Sequence, residues 1–361
     1  MKQDIAHIGP RDVKRLSLTK EQIEREFGNL HLLGIGLDAR TVDRMVEGLG
    51  LDAIEPTVTT GSISTPVQFL QNWLPGFVYV ITAARKIDDL VGITTAGTWD
   101  DEEVVQGVLE LTGTSVPYGD YTNIPFSSWN ANYERRTVVR FEEGMQVGRL
   151  EEARAARARM DSSAQKRSSA ALALEIQRNK VGFYGFNDGN GRTYGFLNDP
   201  ALPAYSNLPT GGWATATFLQ ITADIRSMIV ALRSQSQDTI DPETTPITFA
   251  LASEKVDYLT TTSDFGISVR DWLTKTYPKV RVVSAPELNN ANGGADVGYM
   301  YAETVDDNST DDGRTFIQVV PTKFQVLGVE QKAKGYLEDY TNASAGVMCK
   351  RPYAVVRRSG F

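Results

Sequence analysis

The sequence predicts a mixed α+β chain in which extended arms are attached to one self-contained α/β unit. Three observations carry this. Residues 215–325 alternate helical and apolar strand patterns. Residues 102–143 hold two long stretches of β-branched and aromatic residues with charges scattered along them. Residues 145–180 form a proline-free run dominated by Ala, Leu, Glu, Arg and Lys.

The chain has 361 residues, enough for two or three domains or one elongated fold. It is 41% hydrophobic and 23% charged, which is ordinary for a chain with real cores. A net charge of -8 argues against a molecule built to coat nucleic acid or an anionic membrane. The single cysteine, Cys349, excludes an internal disulfide and a Cys-rich metal site. The N-terminus lacks the apolar core of a secretory signal. The most apolar run, Phe69 to Ala84, is interrupted by Asn72, Pro75 and Gly76, so no membrane partner is expected. The expected site of synthesis is the cytoplasm.

Residues 1–65 read as a polar leader with two short helical patterns, Ser17–Gly28 and Asp38–Gly50, followed by an extended Thr/Ser/Gly-rich run. Such a leader has little core of its own and needs something outside its own domain to hold it. The stretches Glu102–Gly113 and Asn132–Glu142 read as two strands of a long hairpin. A hairpin of this length cannot bury a core unaided. It either lies on its own domain or reaches a neighbouring subunit. The run 145–180 reads as one helix, with Leu150, Ala153, Ala156, Met160, Ala164, Ala171, Leu174 and Arg178 on one face and a solvated Glu151–Arg154 pair. About 30 residues at about 1.5 Å each make a rod of roughly 45 Å, long for a compact domain but suited to a spine. Beyond it, a helix is expected over Thr215–Ser236, a strand over Ile247–Ser253, and a short helix capped by Ser253. A helix over Ile267–Pro278 and a strand over Lys279–Leu288 follow. Two strands then bracket the acidic turn 306–312, and strand-like text closes the chain.

The stretch YGFNDGNGRTYGFLNDPAL, Tyr184 to Leu202, is where phosphate or metal chemistry would sit. A Walker loop would need Gly at position 186, which is Phe186. Gly189, Gly191 and Gly195 miss dinucleotide-fingerprint spacing, and the loop follows a helix where both motifs require a strand. A calcium loop begins with Asp188 and Asn190, but Arg192 interrupts it and Asp199 stands where a Glu is needed. The remaining reading is a glycine helix stop and a turn.

The acidic turn Asp306, Asp307, Asp311, Asp312 reads as a solvated hairpin tip, with a cation site as the alternative. Asp100 to Glu103 read as a charged strand start. His7 and His31 lie in the leader, and no nucleophile elbow or Cys–His pairing is present. No catalytic, cofactor-binding or metal residue is therefore assigned, and the chain is not expected to be an enzyme. Basic residues cluster as Arg149, Arg154, Arg157, Arg159, Lys166 and Arg167, and as Lys350, Arg351, Arg357 and Arg358. They read as solvated faces and salt bridges, or as weak non-specific contacts with nucleic-acid phosphates.

The order of these parts, with the stretch Gly195-Phe196-Leu197-Asn198-Asp199-Pro200 and the run from ITFALASEKVDYLTT to VVSAPEL, resembles the major capsid protein of tailed bacteriophages, the Hong Kong 97-type capsid fold. The resemblance covers roughly residues 60–361. It implies an N-terminal arm at 1–65, a peripheral domain with the spine helix at 66–100 and 144–214, and an extended hairpin loop at 101–143. It further implies an apical α/β domain at 215–325 and strands returning to the peripheral domain at 326–361. It implies self-assembly into hexamers and pentamers of an icosahedral shell around double-stranded DNA, held non-specifically. A portal is a further implied partner, with scaffolding or decoration proteins as candidates. The implied location is the virion capsid, assembled in the bacterial host cytoplasm. Some members of this family weld the extended loop to a neighbour through a lysine; residues 100–143 contain no Lys, so a non-covalent shell is expected. With the leader beginning at Met1, removal of a long N-terminal scaffolding segment is not expected. The same fold serves encapsulin-like nanocompartment shells, the alternative reading; a soluble α/β enzyme with a dispersed site is a second.

Overall fold

The computed structural model describes residues 84–361 apart from Tyr121, Arg159, Asp188 and Asn190. The expected N-terminal arm, its two short helices, His7 and His31 lie outside the described residues, as does nearly all of the apolar run from Phe69.

A short helix α1 (Ile87–Val91) opens the described chain. The strands β1 (Glu103–Thr112) and β2 (Ser128–Thr137) form an isolated antiparallel hairpin in continuous register, from Glu103 opposite Thr137 to Thr112 opposite Ser128. After one break at Val138 the chain continues as β3 (Val139–Gly148), then helix α2 (Arg149–Arg157) and helix α3 (Ser162–Tyr184). The short β4 (Ser206–Asn207) precedes α4 (Phe218–Gln235), β5 (Ile247–Ala252), α5 (Val269–Thr276), β6 (Val280–Ala285) and β7 (Val297–Ala302). The chain ends with β8 (Phe316–Gln318), β9 (Thr322–Lys332), β10 (Gly335–Ser344), β11 (Val347–Cys349) and β12 (Val355–Ser359).

Two larger sheets organise these elements. One has order β3-β10-β9, and the other has order β4-β12-β7-β5-β6. In the second, β5 and β7 are buried along their whole length, which explains why ITFALA and VGYMYA read as continuous apolar runs. One face, through Phe249, Leu251, Met300 and Ala302, packs on Ile221, Ile225, Met228 and Leu232 of α4 and on Trp213. The other face, through Ala250, Tyr299 and Tyr301, packs on Phe183 and Phe196. The C-terminal end of the spine helix α3 and the turn behind it are thereby wedged against the back of the α/β unit. The other end of α3 lies on the first sheet, where Ala170 and Leu174 meet Met145, Val147 and Tyr340.

Several expectations need correction. The helix expected over 145–180 starts later and is broken. Met145 and Val147 are buried alternately on β3, because β10 pairs with that segment from Gly335 opposite Gly148 to Ser344 opposite Val139. The break before α3 has a local cause: the Asp161 side chain accepts from the Ala164 backbone N–H at 3.0 Å and caps a new helix. Leu150, Ala153, Ala156 and Met160 consequently face solvent, not a core. Glu151 pairs with Lys166 at 2.7 Å, not with Arg154. The second hairpin strand ends at Thr137, and the remainder of Asn132–Glu142 belongs to β3. Ser253 does not cap; a 3-10 helix runs over Ser253–Thr260. The PEL sequence is a 3-10 turn that ends β6. The segments around the acidic turn pair antiparallel only at its base, where Thr304 bridges Arg314 and the Val305 N–H donates to the Gly313 carbonyl at 2.8 Å; β8 itself pairs with β11. At the C-terminus only β9 and β10 join β3; β12 pairs with β7 inside the five-stranded sheet.

Candidate assembly surface

The stretch from Tyr184 to Leu202 folds into an anchor for the hairpin. Helix α3 ends at Gly185, whose φ of 70° suits glycine and whose Cβ position would lie 2.4 Å from the Thr193 carbonyl oxygen. Gly195 is required for a different reason: a Cβ there would fall 2.4 Å from the Phe183 carbonyl. The turn is closed by Asn198, which accepts from the Gly195 N–H and donates to the Tyr184 carbonyl, both at 2.7 Å. Asp199 is fully buried and accepts from the N–H of Ala201 at 2.8 Å and of Cys349 at 3.2 Å. Its second oxygen also accepts from Arg136 Nη2 at 2.9 Å.

Arg136 is the last but one residue of β2 and is 1% exposed. It also pairs with Glu134 and lies over the Tyr194 ring at 5.1 Å. Burial opposes its charge, but Glu134 and Asp199 outweigh that and raise its pKa. Thr193 Oγ1 donates to the Thr137 carbonyl at 2.7 Å, and the Arg192 N–H donates to Thr137 Oγ1 at 3.1 Å. Arg140 adds bonds to the carbonyls of Trp99 and Asp101 at 2.6 and 2.8 Å. The base of the hairpin is thus fixed by a buried charge and several backbone bonds, while its shaft is exposed among the described residues. The glycine stop and turn read from the sequence are present, but the ion pair joining Asp199 to Arg136 was missed. Its only signal was a carboxylate at the position before Pro200.

Beyond the base, the hairpin exposes apolar groups, and the register puts Val105, Leu109 and Leu111 on the same face as Trp129 and Tyr133, with Val108 on the other. Tyr118, Phe126, Leu111 and Ile124 are 94%, 91%, 85% and 77% exposed, and Val105, Val108, Leu109, Trp129 and Tyr133 are also open. An isolated two-stranded ribbon with this surface is marginal in water and marks a protein-binding surface. A second apolar strip runs along β9, where Phe324, Val326, Leu327 and Val329 are exposed on an edge strand.

The acidic turn is a clamp on the C-terminal segment. Arg351, 4% exposed, donates to both oxygens of Asp307 at 2.8 and 3.1 Å and of Asp311 at 2.6 and 3.1 Å. Lys350 binds Asp311 at 2.6 Å and also Asp312, and Tyr353 donates to Asp307 at 2.7 Å. Hydrogen bonds from Arg351 hold the Asp307 and Asp311 carboxyls well below the ordinary carboxylate range. Burial, with Asp307 beside it, pushes the Tyr353 phenol up to about 12. The expected solvated tip is more engaged than the sequence suggests: Asp307, Asp311 and Asp312 pair with Arg351 and Lys350, while Asp306 is exposed and has no ion pair among the described residues.

The remaining sequence candidates divide in two. Arg167 makes a bidentate pair with Glu338 at 2.9 and 2.6 Å. Arg357 lies over Tyr205 at 4.0 Å and donates to the Pro203 carbonyl at 2.6 Å, and Arg358 binds Ser206 Oγ at 2.7 Å. Arg149, Arg154 and Arg157 are exposed on α2 and have no ion pair among the described residues. Asp101, Glu102 and Glu103 serve the strand start, with Asp101 accepting from the Thr98 N–H at 2.7 Å and Glu102 and Glu103 pairing with Arg140 and Arg135. Among the described residues, no group of three or more His, Cys, Asp or Glu side chains is placed to hold a metal ion. Among them also, no helix is long and apolar enough to cross a membrane.

The family model of the Pa193 gp26 major capsid protein matches residues 56–360. The chain belongs to that family. It is a shell-forming capsid protein. Its structure is similar to the capsid of Myoviridae phage XM1, with a TM-score of 0.68 at 15% identity over 82% of this chain and 99% of that one. It is also similar to the capsid of a native GTA particle, with a TM-score of 0.56 at 9% identity over 84% and 98% of the two chains. A chain of Mycobacterium phage Ogopogo matches with a TM-score of 0.51 at 10% identity, covering 83% and 98%. These likenesses show the Hong Kong 97-type capsid fold. No curated protein matches the sequence.

Proposed function

We propose that the capsid protein assembles into hexamers and pentamers of a non-covalent icosahedral shell that encloses double-stranded DNA. The hairpin carries the reading: among the described residues its shaft is exposed, with an apolar face formed by Val105, Leu109, Leu111, Trp129 and Tyr133, while its base is locked by the Arg136–Asp199 pair. An arm so built gains stability by burying apolar area on a neighbour at about 25 cal/mol per Å². Repetition of that contact around a closed shell slows dissociation.

In this reading residues 101–143 are the extended loop, 215–325 with the inserted β12 the apical domain, and 66–100 with 144–214 and β9–β10 the peripheral domain. Residues 1–65 form an N-terminal arm. The absence of Lys between 100 and 143 favours a shell without lysine cross-links from this loop. The role is structural and not enzymatic. DNA contacts are non-specific, and a portal, with scaffolding or decoration proteins, completes a virion assembled in the host cytoplasm. Nuclease treatment of purified particles followed by extraction tests the contents. Protected double-stranded DNA is the expected result. Particles that protect a cargo enzyme and no DNA would make the chain a nanocompartment shell.

A further inference from the structure

We propose that Arg149, Arg154 and Arg157 of α2, with Lys332 and Lys334 at the β9–β10 turn, form one basic patch that holds the phosphates of double-stranded DNA. This rests on the DNA-enclosing reading and names the surface that meets the duplex. The fold assembles the patch from segments far apart in the sequence. Gly335 lies opposite Gly148 in the β3–β10 register, and the Arg149 N–H donates to the Lys334 carbonyl at 3.0 Å. The approach is so close that a Cβ on Gly335 would collide with the Val147 carbonyl oxygen. The start of α2 is thereby pinned to the turn that carries the two lysines. Arg154 and Arg157 follow within about 12 Å along the helix axis, at about 1.5 Å per residue.

All five side chains are exposed. Lys332 pairs loosely with Glu330 at 3.7 Å, and the other four have no ion pair among the described residues. Lys166 already neutralises Glu151 at 2.7 Å. On α2 and over residues 330–334, Glu152 and Glu330 are then the carboxylates left to face five cations. This excess runs against the chain as a whole, whose net charge is -8. The other basic residues picked out in the sequence are engaged elsewhere. Arg167 is held by Glu338, Lys350 and Arg351 by the acidic turn, and Arg357 and Arg358 by hydrogen bonds within the chain.

The shape of the patch suits a regular polyanion. The nine residues of α2 span about 13 Å. A duplex carries one negative charge per about 1.7 Å of its axis, so that length faces about eight phosphate charges. Guanidinium groups match phosphate oxygens in pairs, and the lysines add point charges beside them. Contacts of this kind hold the backbone and read no bases, which lets one surface meet any stretch of a genome. Each contact is weak alone, and repetition over many copies makes it effective.

The test is fluorescence anisotropy of a labelled random-sequence duplex titrated with the full chain. The chain carries Tyr118→Ser, Ile124→Ser and Phe126→Ser at the hairpin tip, which keep it unassembled and lie away from the patch. Five phosphate contacts predict an affinity that falls about 500-fold between about 50 and 200 mM salt. Adding Arg149→Ala with Lys334→Ala should weaken binding at the lower salt at least about tenfold and reduce that fall to about 40-fold, since each lost contact flattens the salt dependence. Arg270→Ala with Lys279→Ala, an equal charge change at exposed positions of the α/β unit, should leave both values as they were. Thermal melts establish that both pairs of substitutions leave the chain folded. Undiminished binding in the Arg149 and Lys334 pair, or an equal loss in the control pair, overturns the proposal. So does a patch variant that binds duplex normally but, with the native hairpin tip, no longer forms shells, which would make the patch a contact between copies. A chain that binds no duplex, while its particles protect DNA from nuclease, overturns the proposal and leaves the DNA-enclosing reading standing. Particles that protect no DNA would instead defeat that reading.

Discussion

Asp199→Ala should destabilise the subunit by about 3–5 kcal/mol, the cost of breaking a buried ion pair by removing one partner. The structure accounts for a value at that level. Asp199 is fully buried and accepts three hydrogen bonds, from Arg136 and from the backbone N–H groups of Ala201 and Cys349. The variant orphans both backbone donors and leaves Arg136 with Glu134 as its one remaining carboxylate. Arg136 Nε is already without a partner, so the guanidinium has little in reserve. At an unfolding entropy of about 2.1 cal/mol/K per residue, the loss corresponds for 361 residues to a fall in melting midpoint of roughly 4–7 °C. The assay is thermal unfolding at pH 7 in a background carrying Tyr118→Ser, Ile124→Ser and Phe126→Ser, which keeps the subunit unassembled. The double variant Arg136→Leu with Asp199→Leu should recover much of the loss, because an apolar pair needs no charge compensation. An unchanged midpoint in Asp199→Ala would refute the claim that this pair anchors the hairpin.

Other outcomes follow from the same geometry. The three tip substitutions should change subunit stability by no more than about 0.5 kcal/mol, as for exposed positions generally, while abolishing shell formation scored by microscopy. Gly195→Ala should cost about 1–3 kcal/mol or more in a melt, since its methyl would meet the Phe183 backbone, which cannot move aside as a side chain could. The acid limb of a pH–stability curve should contain the Arg351 clamp. Asp307 and Asp311 have folded pKa values below their ordinary 3.8, so their contribution is complete above about pH 5 and is lost as the pH falls through and below 3.8. Arg351→Ala should flatten that limb and should loosen the acidic turn, read as faster amide exchange at residues 306–313.

Much of the architecture was legible because it is local. The hairpin strands alternate β-branched and charged residues, α4 carries an apolar stripe with Thr217 and Gln220 as a capping box, and β5 is a continuous apolar run. Gly185 marks the end of α3 as glycine helix stops do. What failed was set by pairing across the chain. Met145 to Gly148 has a composition that suits a helix, and only β10, some 190 residues later, makes it a strand. Gly144 and Gly148 were weak warnings. Asp161 was a legible cap, obscured by the Ala- and Arg-rich text on both sides. The site was less visible than the fold. Arg136 and Asp199 are 63 residues apart, and Arg351 is 40 from Asp311. No spacing rule joins such residues. Of the basic residues read as solvated faces and salt bridges or as DNA contacts, Lys166, Arg167, Lys350 and Arg351 are in salt bridges, Arg357 and Arg358 hydrogen-bond within the chain, and Arg149, Arg154 and Arg157 on α2 have no ion pair among the described residues.

The central claim is that the chain is a shell subunit whose hairpin joins it to its neighbours. Light scattering with negative-stain microscopy on the full chain, beside a variant in which residues 113–127 are replaced by a two-residue turn, tests it most directly. Megadalton closed shells, or rings of five and six, are expected from the intact chain, and a folded but unassembled subunit from the shortened one. Shells of normal size from the shortened chain, or an intact chain that stays monomeric when concentrated, would contradict it.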